Sequence, residues 1–313
     1  MALDLINESS PHFHGKGSTQ FIMGAVVVAL LPTLVASFVL YGAGAPLLVL
    51  CCVVTAVVCE QLCCMVMHRE STVGDLSSVV TGMLLAFTLP STCPLWAAAL
   101  GTAFSVVVVK MLFGGVGCNV FNPAVAGRVF LMVALPGALS AYPNPIVGGA
   151  PDAVTGATPL ALAATGSMPY SLLDLFLGNH AGALGETCIL TLLIGFVFLW
   201  AVGVADGWAA LPFVATVAAV MLLAGKDVPY ELLSGGLALG AFFMATDYTT
   251  TPMTPAGKII FGVGCGLITA LIRVFASAPE GVAFSILFMN MFVPLIDRAT
   301  RTPLVGGAKH ALV

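Results

Sequence analysis

The residues best suited to covalent chemistry stand together near the middle of the chain, in Pro151-Asp152-Ala153-Val154-Thr155-Gly156-Ala157-Thr158-Pro159-Leu160. The pattern is Asp-x-x-(Ser/Thr)-Gly-Ala-(Ser/Thr). A threonine hydroxyl can carry a phosphate ester. Gly156 permits unusual dihedrals and a close approach by another protein, and Ala157 leaves that approach unobstructed. Asp152 and Thr155 can hold the turn or be read by a modifying enzyme. Pro159 biases Thr158 towards an extended conformation and away from a helix. Thr158 is therefore expected on an exposed, non-helical segment. The bland alternative is a Thr-Gly turn in a loop rich in both residues.

A second group lies in Phe113-Gly114-Gly115-Val116-Gly117-Cys118-Asn119-Val120-Phe121-Asn122-Pro123-Ala124-Val125-Ala126-Gly127-Arg128. Asn119 and Asn122 are polar groups at a membrane edge, and Pro123 suits the first turn of a helix. No strand–turn–helix unit precedes the run, so it is not a dinucleotide fingerprint. It reads as a broken helix lining a ligand or ion site, or equally as a tight re-entrant turn. Arg128 falls inside an apolar stretch, where a charge needs a partner or a wet cavity; Asp75, Glu60 and Asp247 are the candidate acids. Glu60 also lies within an apolar stretch, where it suits an ion or proton path. Five cysteines, Cys51, Cys52, Cys59, Cys63 and Cys64, crowd one apolar segment without the spacing of a metal site. They read as packing residues, and no metal is expected.

The elements that must carry these groups are membrane helices. Of 313 residues, 59% are hydrophobic and 8% charged, against about 25% charged in a soluble domain. Lipid must be the solvent for much of that surface. The net charge of −4 on so few charges gives no reason to expect a nucleic-acid partner. Ten apolar segments predict spans at about Phe21–Leu40, Pro46–Met67, Leu76–Leu89, Leu95–Phe113, Phe121–Leu135, Glu186–Ala201, Trp208–Ala224, Leu232–Ala245, Gly257–Phe275 and Val282–Ile296. The runs are continuous rather than alternating, which favours helices over a barrel. The polar start of the chain lacks a signal-peptide pattern, so the first apolar segment is expected to be retained. Threading from a cytoplasmic N-terminus puts Lys16, Arg69, Lys258, Arg298, Arg301 and Lys309 inside and Lys226 outside, as the positive-inside rule requires. The fifty residues 136–185 contain no Lys or Arg and fall outside the cell. They divide the spans five and five, so the halves have opposite orientation, as in inverted-repeat membrane folds. The expectation is an all-α integral membrane protein of about ten transmembrane helices. Its parts are a cytoplasmic segment 1–20, a five-helix half 21–135, the extracytoplasmic loop 136–185, a second half 186–297 and a cytoplasmic tail 298–313.

The loop motif resembles the acceptor site of flavinyltransferases, which move FMN from FAD onto a Thr or Ser hydroxyl as a phosphoester. In that pattern the last hydroxyl residue, here Thr158, is the acceptor. The Gly-Asn-Pro-Gly-Arg run, the loop motif, Ala245-Thr246-Asp247 and Asn290-x-Phe292-Val293-Pro294-Leu295-Ile296-Asp297 occur in one order from about Ser71 to Arg298. Together they resemble the RnfD proteins of the Rnf complex, in the family shared with the NqrB proteins of the Na+-translocating NADH:quinone reductase. The resemblance implies a membrane component of a redox-driven Na+ or H+ pump of the cytoplasmic membrane, with covalent FMN on Thr158 relaying electrons between ferredoxin and NAD. It implies the A, B, C, E and G subunits of the Rnf complex as partners, an FMN transferase for maturation, and room for a non-covalent riboflavin. Asn119, Asn122 and Arg128 then become residues of a flavin or ion site. One departure is Tyr248-Thr249-Thr250-Thr251, where a proline is expected soon after Asp247. The chain has neither a ferredoxin-type cysteine cluster nor a soluble nucleotide domain, so it is incomplete as an enzyme alone. The competing readings are a small-solute or ion channel of a related five-plus-five fold without flavin, and a structural scaffold.

Overall fold

The computed structural model describes residues 18–145, 155–276 and 280–301. Helices stand at the places of all ten predicted spans. In chain order they are α1 (Thr19–Tyr41), α2 (Gly44–Val66), α3 (Ser77–Phe87), α4 (Leu95–Met111), α5 (Pro123–Ala134), the short α6 (Pro159–Ala164) and α7 (Leu172–Leu177), α8 (Ile189–Val202), α9 (Gly207–Leu223), α10 (Val228–Leu233), α11 (Leu237–Leu239), α12 (Pro255–Phe275) and α13 (Val282–Thr300). Four of them, α1, α2, α12 and α13, are long and apolar enough to cross a membrane by length and composition. The others are apolar but shorter.

Two predicted spans need correction. Leu232–Ala245 is not one helix. Ser234-Gly235-Gly236 separates α10 from α11, with Gly235 at a φ of 68° that disfavours a side chain. From there α11 continues as a π-helical turn over Gly240–Met244. The fourth span departs from regular α geometry too, since its second half, Ser105–Met111, is π-helical. Such wide turns are commonly found at functional sites.

Each half repeats one packing scheme. α2 packs on α3 and α4, and α9 on α10 and α12; α4 packs on α5, and α12 on α13. Across the halves α1 meets α8 and α5 meets α13. The α9–α12 contact is tight because it is built on glycine. A β-carbon on Gly262 would strike the Ala209 carbonyl oxygen, and one on Gly266 would come within 2.7 Å of the Phe213 carbonyl oxygen. In lipid, close backbone approach of this kind replaces the hydrophobic drive that holds soluble helices together.

Candidate functional site

The motif loop is anchored by a two-residue ladder, β1 (Tyr142–Pro143) with β2 (Thr155–Gly156), in which Tyr142 faces Gly156 and Pro143 faces Thr155. Gly156 is pressed against its own chain. A β-carbon there would lie 2.7 Å from Asn144 Oδ1 and 3.2 Å from the Ala181 methyl. The space that the motif alone assigns to an approaching protein is thus filled from within. Ala157 is exposed and Thr158 half-buried. Thr158 is extended, with φ −64° and ψ 151°, and it is the N-cap of α6. Its Oγ1 accepts the Ala161 N–H at 3.3 Å, and Pro159 supplies the first helical residue. The extended backbone matches the expectation; the half-burial of Thr158 departs from the exposed position expected, and the cap role is new. Asp152 lies outside the described residues.

Leu160, two residues on, lines a small cavity together with Thr88, Arg128, Glu186, Arg273 and Glu280. Arg128 is 3% exposed. Its Nη2 donates to Glu280 Oε2 at 3.0 Å and to the Tyr142 hydroxyl at 3.2 Å. Burial pushes the Tyr142 phenol up to about 12, against the pull of the Arg128 charge. Arg273 donates to the carbonyls of Glu231 at 2.5 Å and Ser234 at 3.0 Å, bracing the break before α11. Glu231 also pairs with Lys226 at 3.5 Å.

Asn119 and Asn122 line a different cavity, with Ser77, Lys110 and Asp247. Asn122 caps α5 by accepting the Ala124 and Val125 N–H groups at 3.1 and 3.3 Å. Its Nδ2 donates to Asp247 Oδ2 at 3.3 Å. Asn119 Nδ2 donates to the Phe121 carbonyl at 3.0 Å. Asp247 also accepts from the hydroxyls of Thr249 at 2.9 Å and Thr250 at 3.2 Å. The threonines that depart from the expected proline thus hold the acid. Lys110 is buried, with Nζ 2.8 Å from Glu60 Oε1 and 2.6 Å from Ser77 Oγ; Thr72 and Ser78 also donate to Glu60.

The three site residues grouped from sequence are therefore split, with Asn119 and Asn122 in one cavity and Arg128 in the other. None of the candidate acids for Arg128 is its partner. Glu60 is taken by Lys110 and Asp247 by Asn122, while Asp75 accepts the Ser77 N–H at 2.8 Å at the start of α3. The partner is Glu280, which the sequence reading misses. The available signal is positional, since Glu280 precedes the last helix of its half as Asn122 precedes α5.

Residues 6–306 match the family described as NQR2, RnfD, RnfE. The chain belongs to that family. Along its full length this family member is 44% identical to the D subunit of the Na+-translocating ferredoxin:NAD+ oxidoreductase complex of Acetobacterium woodii, covering 98% of this chain and 97% of that one. It is 36% identical to the D subunit of the proton-translocating ferredoxin:NAD+ oxidoreductase complex of Clostridium ljungdahlii, over 95% of each. A further relative is the B subunit of the Na+-translocating NADH-quinone reductase of Chromohalobacter salexigens, 43% identical over 70% of this chain and 56% of its own. D subunits and a B subunit are thus both among its relatives, and the two D subunits match over 95% or more of each chain.

Proposed function

We propose that this chain is the D subunit of an ion-translocating ferredoxin:NAD+ oxidoreductase of the cytoplasmic membrane and carries FMN as a phosphoester on Thr158. The end-to-end likeness to two D subunits supports the complex. The observation that carries the flavin reading is Thr158 itself, extended and half-buried beside an exposed alanine at the head of α6. That geometry fits a phosphoester, because the hydroxyl stands on extended backbone before the start of α6 and not within a helix. Bound flavin would supply one- and two-electron chemistry; the protein's part is to position it and set its electrostatics. Ala157 keeps the approach of an FMN transferase open, and Gly156 fixes the strand that presents the hydroxyl. The A, B, C, E and G subunits are the expected partners, since electrons must arrive and leave through other chains. The Asn122 cavity, with Ser77, Lys110, Asn119 and Asp247 in its wall, is the proposed place for a second, non-covalent flavin or an ion.

The repeated packing scheme and the cross-half pairs α1–α8 and α5–α13 support ten spans in two inverted halves. Both termini are then cytoplasmic and Thr158 is extracytoplasmic. The test is in-gel flavin fluorescence of the denatured protein made with an active FMN transferase, with the adduct mapped by peptide mass spectrometry. A fluorescent wild-type band that vanishes in Thr158→Ala and persists in Thr158→Ser is expected. A dark wild-type band, with the transferase active on another target, refutes the flavin and favours the channel reading.

A further inference from the structure

Four large apolar side chains stand in the open within ten residues, shortly after the motif. Met168, Leu172, Leu173 and Leu177 are 46%, 47%, 70% and 53% exposed. Single apolar residues are normal on any surface, but a cluster of this kind marks an interaction site. It centres on α7, whose only polar side chain is Asp174. A helical turn takes about 3.6 residues, so Leu172, Leu173, Phe176 and Leu177 share a face, with Asp174 and Leu175 off it. Packing against the protein accounts for Leu175, which is buried, and for part of Phe176. It leaves Leu172, Leu173 and Leu177 without a reason to be leucine. Asp174 is engaged at the head of α7, accepting from the Ser171 hydroxyl at 2.7 Å and from Asn179 Nδ2 at 3.3 Å. It is also the one charged side chain between residues 155 and 185, so the patch has little charge with which to steer a soluble partner.

The position of α7 says what covers that face. Gly178, which caps its end, is wedged between two membrane elements. A β-carbon there would lie 3.0 Å from Leu40 Cδ1, in the last turn of α1, and 3.1 Å from the Thr187 carbonyl oxygen, just before α8. α7 also packs on α8 and α10. The 23 residues of α1 make a helix of about 35 Å, against a hydrocarbon core about 30 Å thick. The last turn of α1 therefore lies at the edge of the core, where acyl chains give way to headgroups, and α7 stands at that height. Its exposed leucines continue the lipid-facing surface of the spans beside it, where Phe38 and Val39 on α1 and Leu190 on α8 are exposed too. We infer that α7 is an interfacial helix whose Leu172, Leu173 and Leu177 face is sunk into the phospholipid of the adjacent leaflet, lying on the membrane and not spanning it. The inference is independent of the flavin. It ties the chain that runs on from Thr158 through α6 to the plane of the membrane.

The test is photocrosslinking of the full chain in its native membranes. Leu173→p-benzoylphenylalanine and Leu177→p-benzoylphenylalanine each put a light-activated label on the exposed face, where a larger side chain has room. After irradiation, adducts are read by mass spectrometry of the peptide that contains the label. Both positions are expected to gain the mass of a phospholipid. The same label at Leu31, 44% exposed in the middle of α1, verifies the photochemistry. An adduct to a polypeptide at residue 173 or 177 overturns the inference and makes the patch a docking site for a partner chain. Adducts at residue 31 with none at 173 and 177 overturn it as well, because the face then lies in water.

Discussion

Lys110 shows what a single buried charge requires in this protein. Its ammonium is satisfied by Glu60 at 2.8 Å and by the hydroxyls of Ser77 and Ser78 at 2.6 and 3.0 Å. Removing one partner of such a pair strands the other, typically at a cost of about 3–5 kcal/mol, while removing both is far milder. Lys110→Met is accordingly expected to lower the unfolding temperature in detergent sharply. Lys110→Met with Glu60→Gln should recover most of the loss, and additive losses would refute the pairing. Residues of this kind also mark where sequence reading fails. The extended backbone of Thr158 is legible because the dihedral bias of Pro159 is local. The Arg128 partner is not, because Glu280 is 152 residues away and only packing brings it there. His180 belongs to the same class. It is buried in the loop region, and burial lowers its imidazole below the ordinary 6.5, against the carbonyls of Ala181, Thr187 and Leu175. The unfolded chain then takes up the proton first, so stability is unaffected above about pH 6.5 and falls as pH drops below it. Thermal unfolding at about pH 7.5 and about pH 5.5 should show a smaller drop in His180→Gln than in wild type. An equal drop would assign the pH dependence elsewhere.

At the scale of elements, a helix stands wherever an apolar run predicts one, because continuous hydrophobicity is a strong and local signal, but the runs do not mark the short α6 and α7. They miss the internal breaks. Ser234-Gly235-Gly236 sits in an apolar context, so composition reads through it, and only the 68° φ of Gly235 with the Arg273 bonds to Glu231 and Ser234 explains the stop. The π-helical turns at Ser105–Met111 and Gly240–Met244 are equally silent in hydropathy. The α9–α12 seam offers a direct check of element packing. Gly262 faces the Ala209 carbonyl with no space for a side chain. Gly262→Val must push the helices apart, and overpacking of this order costs about 1–3 kcal/mol. A lowered unfolding temperature is expected for Gly262→Val. Gly203→Ala, at a helix end where a β-carbon meets open space but φ is 78°, should cost less. Equal effects would mean that the seam is not tight.

Under the proposed division of the whole molecule into two halves, functional groups correspond by position and not by type. A basic residue late in the fourth helix, Lys110, meets an acid and the start of α3 in the first half, whereas Arg273 meets the acid Glu231 and the carbonyls at the end of α10 in the second. A residue just before the fifth helix of one half contacts the fifth helix of the other. Glu280 reaches Arg128 on α5, and the Asn122 N–H reaches Asn290 on α13 at 2.9 Å when that amide is turned to satisfy both its groups. If these halves have opposite orientation, the two cavities open to opposite sides of the membrane. The Arg128 cavity then shares the outer side with Thr158, and the Asn122 cavity faces the cytoplasm. Topology reporters decide this. Alkaline phosphatase fused after Gly166 should be active and a fluorescent protein fused there dark, because phosphatase folds only outside. Fusions after Arg69 and after Val313 should give the reverse pattern, as their neighbouring lysines and arginines require under the positive-inside rule. Matching signals from the Gly166 and Arg69 fusions would put both on one side of the membrane. An odd number of crossings between them would then be excluded, and with it the opposed halves and the assignment of one cavity to each face.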